Sequence, residues 1–159
     1  MVSFNATIRS KHPPHLVFDY LAEFSTAVQW DPGIVEGESL VSRPPALGSR
    51  FHLVSEFVGR KVELTYEITE FDQPRRFTVQ ADGGGFASED TVTVEPVGDG
   101  CDVHYHATLS FSGVGRLLTP IWWHVFRRIG SKAAAGLADW LNRDELGRPP
   151  SRTMKEAKE

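Results

Sequence analysis

Three polar residues on predicted strands, Asp90, Tyr66 and Tyr105, are the side chains best placed to do chemistry. Asp90 has the same strand parity as Val92 and Val94, so the alternation of a β-strand puts its carboxyl group on an apolar face. A buried carboxylate must be paired, protonated or functional. The alternatives are that Asp90 lies near the strand end beside solvent, or that a bulge after the glycine loop at 83–85 turns it outward.

Tyr66 and Tyr105 also face inward by the alternation of their strands. Their hydroxyls can contact a ligand or exchange protons with it as acid and base. The alternative is ordinary core packing in which each hydroxyl is hydrogen-bonded. No Ser-His-Asp or Cys-His spacing is recognisable in the chain. The candidate catalytic residues are therefore Asp90, Tyr66 and Tyr105, working without a cofactor.

His104 and His106 are two residues apart on a strand, so they share one face in a geometry compatible with metal binding. That face is the solvent side, and no third ligand is indicated. We therefore predict an exposed polar surface there and no metal site. The glycine run at 83–85 lacks the Gly-Lys-Ser/Thr ending of a phosphate loop and is followed by a strand, so it predicts a flexible hairpin.

The elements that position these residues are one strand, two short helices, six more strands and one long helix. Period-two alternation begins at Val2, and helical spacing follows the prolines at 13–14 up to about Ala22. A second helical turn at 25–29 ends in the breaker cluster 30–33, and alternating segments then continue to Phe111. Because the links between strands have hairpin length, the seven strands are expected to form one antiparallel sheet.

A short leading turn, a break and then the long helix over 120–142 are predicted, with Thr119 as the N-cap of that helix and Pro120 at its first position. It would be roughly 33 Å long, enough to cross a small domain. Its apolar stripe recurs at three- and four-residue steps, so we expect it to meet the inward face of the sheet. The stripe consists of Leu118, Trp122, Val125, Phe126, Ile129, Ala133, Gly136, Leu137 and Trp140.

An internal cavity is expected between this helix and the sheet, because small inward residues such as Ala107 would face small helix residues such as Ala133. Trp30 either stacks on a ligand at the mouth or packs as a structural plug. Trp122 and Trp123 are about 100° apart on the helix, so one of them should lie at a rim, where it lines the entrance, contacts a partner or covers the preceding turn. The candidate ligand-binding residues are Trp30, Phe51, Ser55, Leu64, Tyr66, Val92, Tyr105, Trp122, Phe126 and Ile129.

The composition of this chain of 159 residues fits one globular domain, expected at 1–146, with a charged and disordered tail at 147–159. A formal charge of −4 gives no electrostatic reason to bind nucleic acid. The single cysteine, Cys101, suits a reducing compartment or indifference to redox state. The alternating N-terminus is not a signal peptide and no run could span a membrane, so a cytoplasmic location is predicted. The oligomeric state is left open.

Several local strings carry a resemblance to a known family. They are the prolines at 13–14 ahead of a helix, WDPGI at 30–34, EPVGDG at 95–100 and GVGRLLTP at 113–120. With the order of elements, the chain from about Val2 to Asn142 resembles the START-like or helix-grip (SRPBCC) superfamily, in its polyketide cyclase/dehydrase-like branch. The resemblance implies an α+β fold, with a seven-stranded antiparallel sheet curled around the C-terminal helix, two short helices after the first strand, and a deep cavity that often takes a hydrophobic ligand.

Functions in that superfamily range from aromatic-ring cyclisation to lipid carriage, hormone sensing and chaperone activation, so the fold alone does not choose among them. The resulting hypothesis is that the chain binds a hydrophobic small molecule, with cofactor-free cyclase or dehydratase chemistry as its enzymatic form. The alternative is a non-catalytic carrier of lipid or another hydrophobic ligand, or a protein-interaction module. Two or more polar groups converging inside the cavity would favour the enzyme, and one isolated polar group would favour the carrier.

Overall fold

The computed structural model describes residues 1–57 and 59–146. A strand comes first, two short helices follow, six strands build the rest of the sheet, and a long helix closes the described chain. Turns of 3-10 helix at Phe24–Thr26 and Gly113–Leu118 lead into the second short helix and the long helix. The elements are β1 (Val2–Ser10), α1 (Pro14–Ala22), α2 (Ala27–Trp30), β2 (Ile34–Ser39), β3 (Arg50–Phe57), β4 (Arg60–Asp72), β5 (Arg76–Asp82), β6 (Phe86–Val97), β7 (Gly100–Phe111) and α3 (Thr119–Leu141).

All seven strands belong to one sheet in the order β1-β7-β6-β5-β4-β3-β2, and every neighbouring pair is antiparallel. The five strands from β3 to β7 are joined by short links, which is why they lie side by side in chain order. The first strand, β1, pairs with the last, β7, and α3 packs against β1. The predicted α+β helix-grip fold, a seven-stranded antiparallel sheet around a long C-terminal helix, is confirmed.

The long helix begins at Thr119, one residue before the predicted start. The prediction that Thr119 caps it is wrong, because Leu118 occupies the N-cap position and the Thr119 hydroxyl donates to the Arg116 carbonyl at 2.6 Å. The expected break before the helix is also absent. The 3-10 turn Gly113–Leu118 runs directly into α3, since the Thr119 side chain satisfies a carbonyl of that turn.

The C-terminal half of α3 is the half that reaches the core. Ala133, Leu137 and Leu141 are the buried residues of α3. Gly136 lies so close to Trp30 that a β-carbon there would be 1.9 Å from the Trp30 carbonyl oxygen. The Ser10 hydroxyl donates to the Leu141 carbonyl at 2.7 Å and so ties the helix end to β1. The N-terminal half of the predicted stripe is only partly buried or exposed.

The predicted disordered tail at 147–159 lies outside the described residues, so the domain limit at residue 146 stays a prediction. Among the helices of residues 1–57 and 59–146, none is long and apolar enough to cross a membrane.

Candidate functional site

A partly open cavity of about 320 Å³ lies between the concave face of the sheet and the long helix. Its wall is mostly apolar and receives side chains from the strands β1, β2, β3, β4, β6 and β7, from α2 and the turn after it, and from α3. Nine of the residues predicted for binding or catalysis line it: Trp30, Ser55, Leu64, Tyr66, Asp90, Tyr105, Trp122, Phe126 and Ile129.

Phe51 and Val92 were predicted to contact the ligand, but the structure places them in the packed core rather than in the cavity wall. Phe51 meets Phe24 edge-on at 6.5 Å between ring centroids, beneath the short 3-10 turn that precedes α2. Val92 is opposite Phe77 on a part of the sheet that α1 covers. Strand parity indicates the face of a side chain but not which part of that face another element fills.

Asp31 is a wall residue that the sequence reasoning missed, since it was interpreted only as part of a turn. Its Oδ1 accepts the Gly33 N–H at 2.8 Å, which is the turn geometry expected of an aspartate. Burial raises the pKa of its carboxyl group. The signal available in the sequence was its position next to Trp30, already predicted to lie at the cavity. Other wall residues that were not predicted include Phe4, Ile8, Phe86, Leu109 and Phe111.

Asp90 points into the cavity, so the alternatives that turned it outward are wrong. The pairing of β5 with β6 has no register shift, and Asp90 is opposite Val79 on one side and Ala107 on the other. The residue is only 7% exposed. The Tyr105 hydroxyl donates to Asp90 Oδ2 at 2.8 Å. The Tyr105 ring in turn meets Trp30 edge-on at 5.9 Å.

Burial raises the pKa of Asp90 to about 7, because desolvation disfavours the carboxylate and the charge of Asp31 adds to that effect. The hydrogen bond from Tyr105 works in the opposite direction. Burial and the neighbouring Asp90 raise the pKa of Tyr105 well above its ordinary value, so its hydroxyl stays protonated near neutral pH. The pair therefore combines a carboxyl group that exchanges its proton near neutrality with a phenol that remains a donor.

Tyr66 belongs to a second polar pair, further along the same wall. Its hydroxyl donates to Ser88 Oγ at 3.1 Å, and its ring meets Phe24 edge-on at 5.0 Å. Burial, followed by the charge of Asp90, raises the pKa of Tyr66. The cavity thus holds two hydroxyl-containing pairs, and the one with the carboxyl group is Asp90 with Tyr105.

The two adjacent tryptophans of α3 face different ways, as their helical spacing requires. Trp122 lines the cavity and stacks on Phe111 at 5.2 Å between ring centroids. Trp123 is 42% exposed, and the Arg127 guanidinium lies 4.8 Å from its ring centroid. Trp123 is therefore the outward residue of the pair.

The two strand histidines lie on the outer face of the sheet, away from the cavity. His104 Nδ1 is 3.1 Å from the Thr7 hydroxyl, and its Nε2 is 3.2 Å from Glu95 Oε2. The His106 ring is hydrogen-bonded to Asn5 and Thr108. Within the described part of the chain, no group of three or more His, Cys, Asp or Glu side chains is arranged to hold a metal ion.

The fold and the site define a helix-grip protein with an internal, largely apolar cavity. A family described as polyketide cyclase / dehydrase and lipid transport matches residues 1–141. The chain belongs to that family. No curated protein matches the sequence significantly.

Solved structures share the fold at low sequence identity. TTHA0849 from Thermus thermophilus is 20% identical, with a TM-score of 0.70, over 88% of this chain and 95% of that one. A START superfamily protein from Mycobacterium smegmatis is 15% identical, with a TM-score of 0.66, over 88% and 99%. Protein CV1439 from Chromobacterium violaceum is 13% identical, with a TM-score of 0.63, over 91% and 100%. At these identities the similarity shows the fold alone.

Proposed function

We propose that the chain binds a hydrophobic small molecule in its internal cavity and that Asp90 and Tyr105 act on it as a cofactor-free acid–base pair. The observation that carries the proposal is the Tyr105–Asp90 hydrogen bond of 2.8 Å inside an apolar cavity of about 320 Å³. The volume falls within the range of small-molecule sites, which are mostly apolar with a few polar groups. The cytoplasmic location of this activity stays a prediction from the sequence.

Binding is supported by what the wall leaves unfilled. Packed protein interiors have few voids larger than a water molecule, because unfilled volume forfeits contact energy. Here several aromatic side chains, among them Phe4, Phe86, Phe111 and Phe126, surround open space instead of filling it. A ligand with one or two rings or an acyl chain would supply the missing contacts.

The acid–base proposal follows from the protonation states of the pair. Asp90 as carboxylate would take a proton from the carbon next to a substrate carbonyl. Tyr105 would then turn its hydroxyl hydrogen from the protonated Asp90 to the enolate oxygen. The enolate carbon would then attack a second carbonyl of the folded substrate and form a carbon–carbon bond. The proton on Asp90 would pass to the resulting alkoxide, so the cyclisation is an isomerisation with no redox change. Loss of water would complete a dehydratase reaction.

The binding half can be tested by filling the cavity. Ala107 lines the cavity beside Asp90, with which it is paired between β6 and β7. Ala107→Phe should therefore abolish binding of naphthylmethanol, measured by calorimetry, while the protein stays folded. Ala87→Phe is the matched control, because Ala87 is an exposed residue of the adjacent strand and its substitution should leave binding unchanged. Failure of the wild-type protein to bind any naphthyl or decyl probe would overturn the proposed function.

The catalytic half can be tested with acetonaphthone, a ketone probe that carries exchangeable protons next to its carbonyl. In deuterium oxide, the wild-type protein should accelerate exchange of these protons, followed by nuclear magnetic resonance. Asp90→Asn should remove the acceleration, Tyr105→Phe should reduce it by about one to two orders of magnitude, and Glu89→Gln on the outer face should not change it. Bound ketone without accelerated exchange would identify the protein as a carrier instead.

A further inference from the structure

The charged side chains in the cavity wall of the described residues are all acidic. Asp31 and Asp90 both contribute to the wall. Along residues 1–57 and 59–146, no Lys, Arg or His side chain is part of that wall. The arginines of α3 are on its exposed side, where Arg127 lies over the Trp123 ring. A ligand inside the cavity would therefore meet negative charge and no compensating cation.

Asp90 also has an acceptor oxygen that no side chain of the described residues uses. Asp90 Oδ2 accepts from Tyr105, but no donor in the described residues reaches its Oδ1. Asp90 is buried and lines the cavity, so the unused oxygen has only the cavity from which to receive a partner. The hydroxyls of Tyr105 and Tyr66 donate to Asp90 and Ser88, and Ser88, which accepts that bond, keeps its own hydroxyl hydrogen as a neutral donor in the wall.

One buried donor has no partner among the described residues, and it does not change this balance. The indole nitrogen of Trp30 is enclosed and has almost no accessible surface, even though the Trp30 side chain contributes to the wall. A ligand in the cavity cannot reach that N–H without displacing neighbouring atoms. The free acceptor that a ligand does meet is Asp90 Oδ1.

We propose that the cavity selects its ligand by charge: it takes amphiphiles whose polar group donates hydrogen bonds, a hydroxyl or an ammonium, and it rejects carboxylates. This inference rests on the proposed binding function and specifies its ligand class. An ammonium or hydroxyl would donate to Asp90 Oδ1, whereas a carboxylate would leave water for a site with two carboxyl groups and no cation among the described residues. The pKa of Asp90 is raised because burial disfavours its carboxylate, and a bound donor or cation would stabilise that carboxylate.

The test uses probes that differ only in their polar group: naphthylmethanol, naphthylmethylamine and naphthoate, on the same ring isomer, and the decyl series decanol, decylamine and decanoate. Dissociation constants are measured by calorimetry at about pH 8, where the amines are protonated, the acids are ionised and Asp90 is mostly ionised. The alcohol and the amine of each series should bind at least about tenfold more tightly than the acid.

Variants identify the source of the discrimination. Asp90→Asn should reduce the preference for the amine over the acid by about tenfold or more, and Asp31→Asn should reduce it less. Glu89→Gln removes the same charge from an exposed position next to Asp90 on the strand and should leave the preference unchanged. If the alcohols bind but the acids bind equally well, the charge selection is wrong and the binding function stands. If no probe of either series binds, the binding function itself fails.

Discussion

The two halves of α3 have similar apolar residues but do different things. In the C-terminal half, Leu137 and Leu141 are almost fully enclosed, and Gly136 lies against the backbone of Trp30. In the N-terminal half, Trp122 and Phe126 line the open cavity, and Ile121 is 62% exposed. One amphipathic stripe therefore contributes stability at one end and a binding wall at the other.

The comparison shows why apolar periodicity does not measure stability. A side chain stabilises the fold by the apolar area that folding removes from water, and the cavity leaves part of the area of Phe126 uncovered. The same uncovered area is what a ligand can bury. The predictions below test this division of α3, beginning with the largest expected effect.

Leu137→Ala should lower the free energy of unfolding by about 2–5 kcal/mol, because it leaves a hole among fully packed neighbours. Phe126→Ala removes a larger side chain but should cost about 1 kcal/mol or less, since that ring faces the cavity. Urea unfolding of both variants measures the difference. Equal losses would show that the N-terminal half is also packed into the core.

Burial of Asp90 in the cavity wall should lower the free energy of unfolding at neutral and higher pH. Its folded-state pKa of about 7 is above the ordinary value of 3.8, so over this pH range the folded protein holds a proton that the unfolded chain releases. Stability from this group is therefore present below about pH 4 and falls by a few kcal/mol as the pH rises to about 7. Asp90→Asn removes this dependence, so the variant should be more stable than wild type at about pH 8.

Denaturant unfolding at about pH 5 and pH 8 gives the measurement for both proteins. Asp31, whose pKa is raised in the same direction, stays in the variant and leaves a smaller residual slope. Glu89→Gln is the control for the loss of one negative charge. Because the charge of Glu89 raises the pKa of Asp90 less than burial and Asp31 do, this variant should stay close to the wild-type profile. An Asp90→Asn variant less stable than wild type at the higher pH would contradict a buried, costly carboxylate.

Glycine substitutions compare the two ends without removing any side chain. A β-carbon at Gly136 would lie 1.9 Å from the Trp30 carbonyl oxygen, so Gly136→Ala must shift backbone and should cost about 1–3 kcal/mol. Gly115, ahead of α3, has its nearest side-chain neighbour at an ordinary 3.5 Å, and Gly115→Ala should change stability by about 0.5 kcal/mol or less. Thermal unfolding followed by circular dichroism distinguishes the two; a tolerated Gly136→Ala would mean that α3 is loosely seated there.

The smallest effect is expected at Leu117, in the turn that leads into α3. This side chain is 82% exposed, so Leu117→Ser should change the free energy of unfolding by about 0.5 kcal/mol or less. Thermal unfolding measures the change. A loss above about 1 kcal/mol would show that Leu117 is covered in solution, either by a second copy of the chain or by another part of it.

Much of the fold was predictable because its signals are local. The alternation from Val2 to Phe111, the prolines at 13–14 and the hairpin-length links identify the strands, the first helix and the antiparallel sheet. The start of α3 was predicted to within one residue, whereas its cap was not. A threonine hydroxyl before proline can bond to the helix that follows or to the turn that precedes it. Here it donates to the Arg116 carbonyl of the preceding 3-10 turn.

The candidate site was predictable only as a set of inward faces. Sequence by itself placed Tyr66 and Tyr105 on the apolar side of their strands, since side-chain direction alternates with each residue, and it left open whether Asp90 shares that side or is turned outward. Only the tertiary structure decided that Tyr105 and Asp90 meet, through the register of β6 with β7, and that Asp31 joins their wall. It also decided that Phe51 and Val92 are covered by the short helical segments instead of facing the cavity. A cavity is the volume that packed elements leave between them, so its wall depends on contacts between residues far apart in the chain, which no local pattern contains.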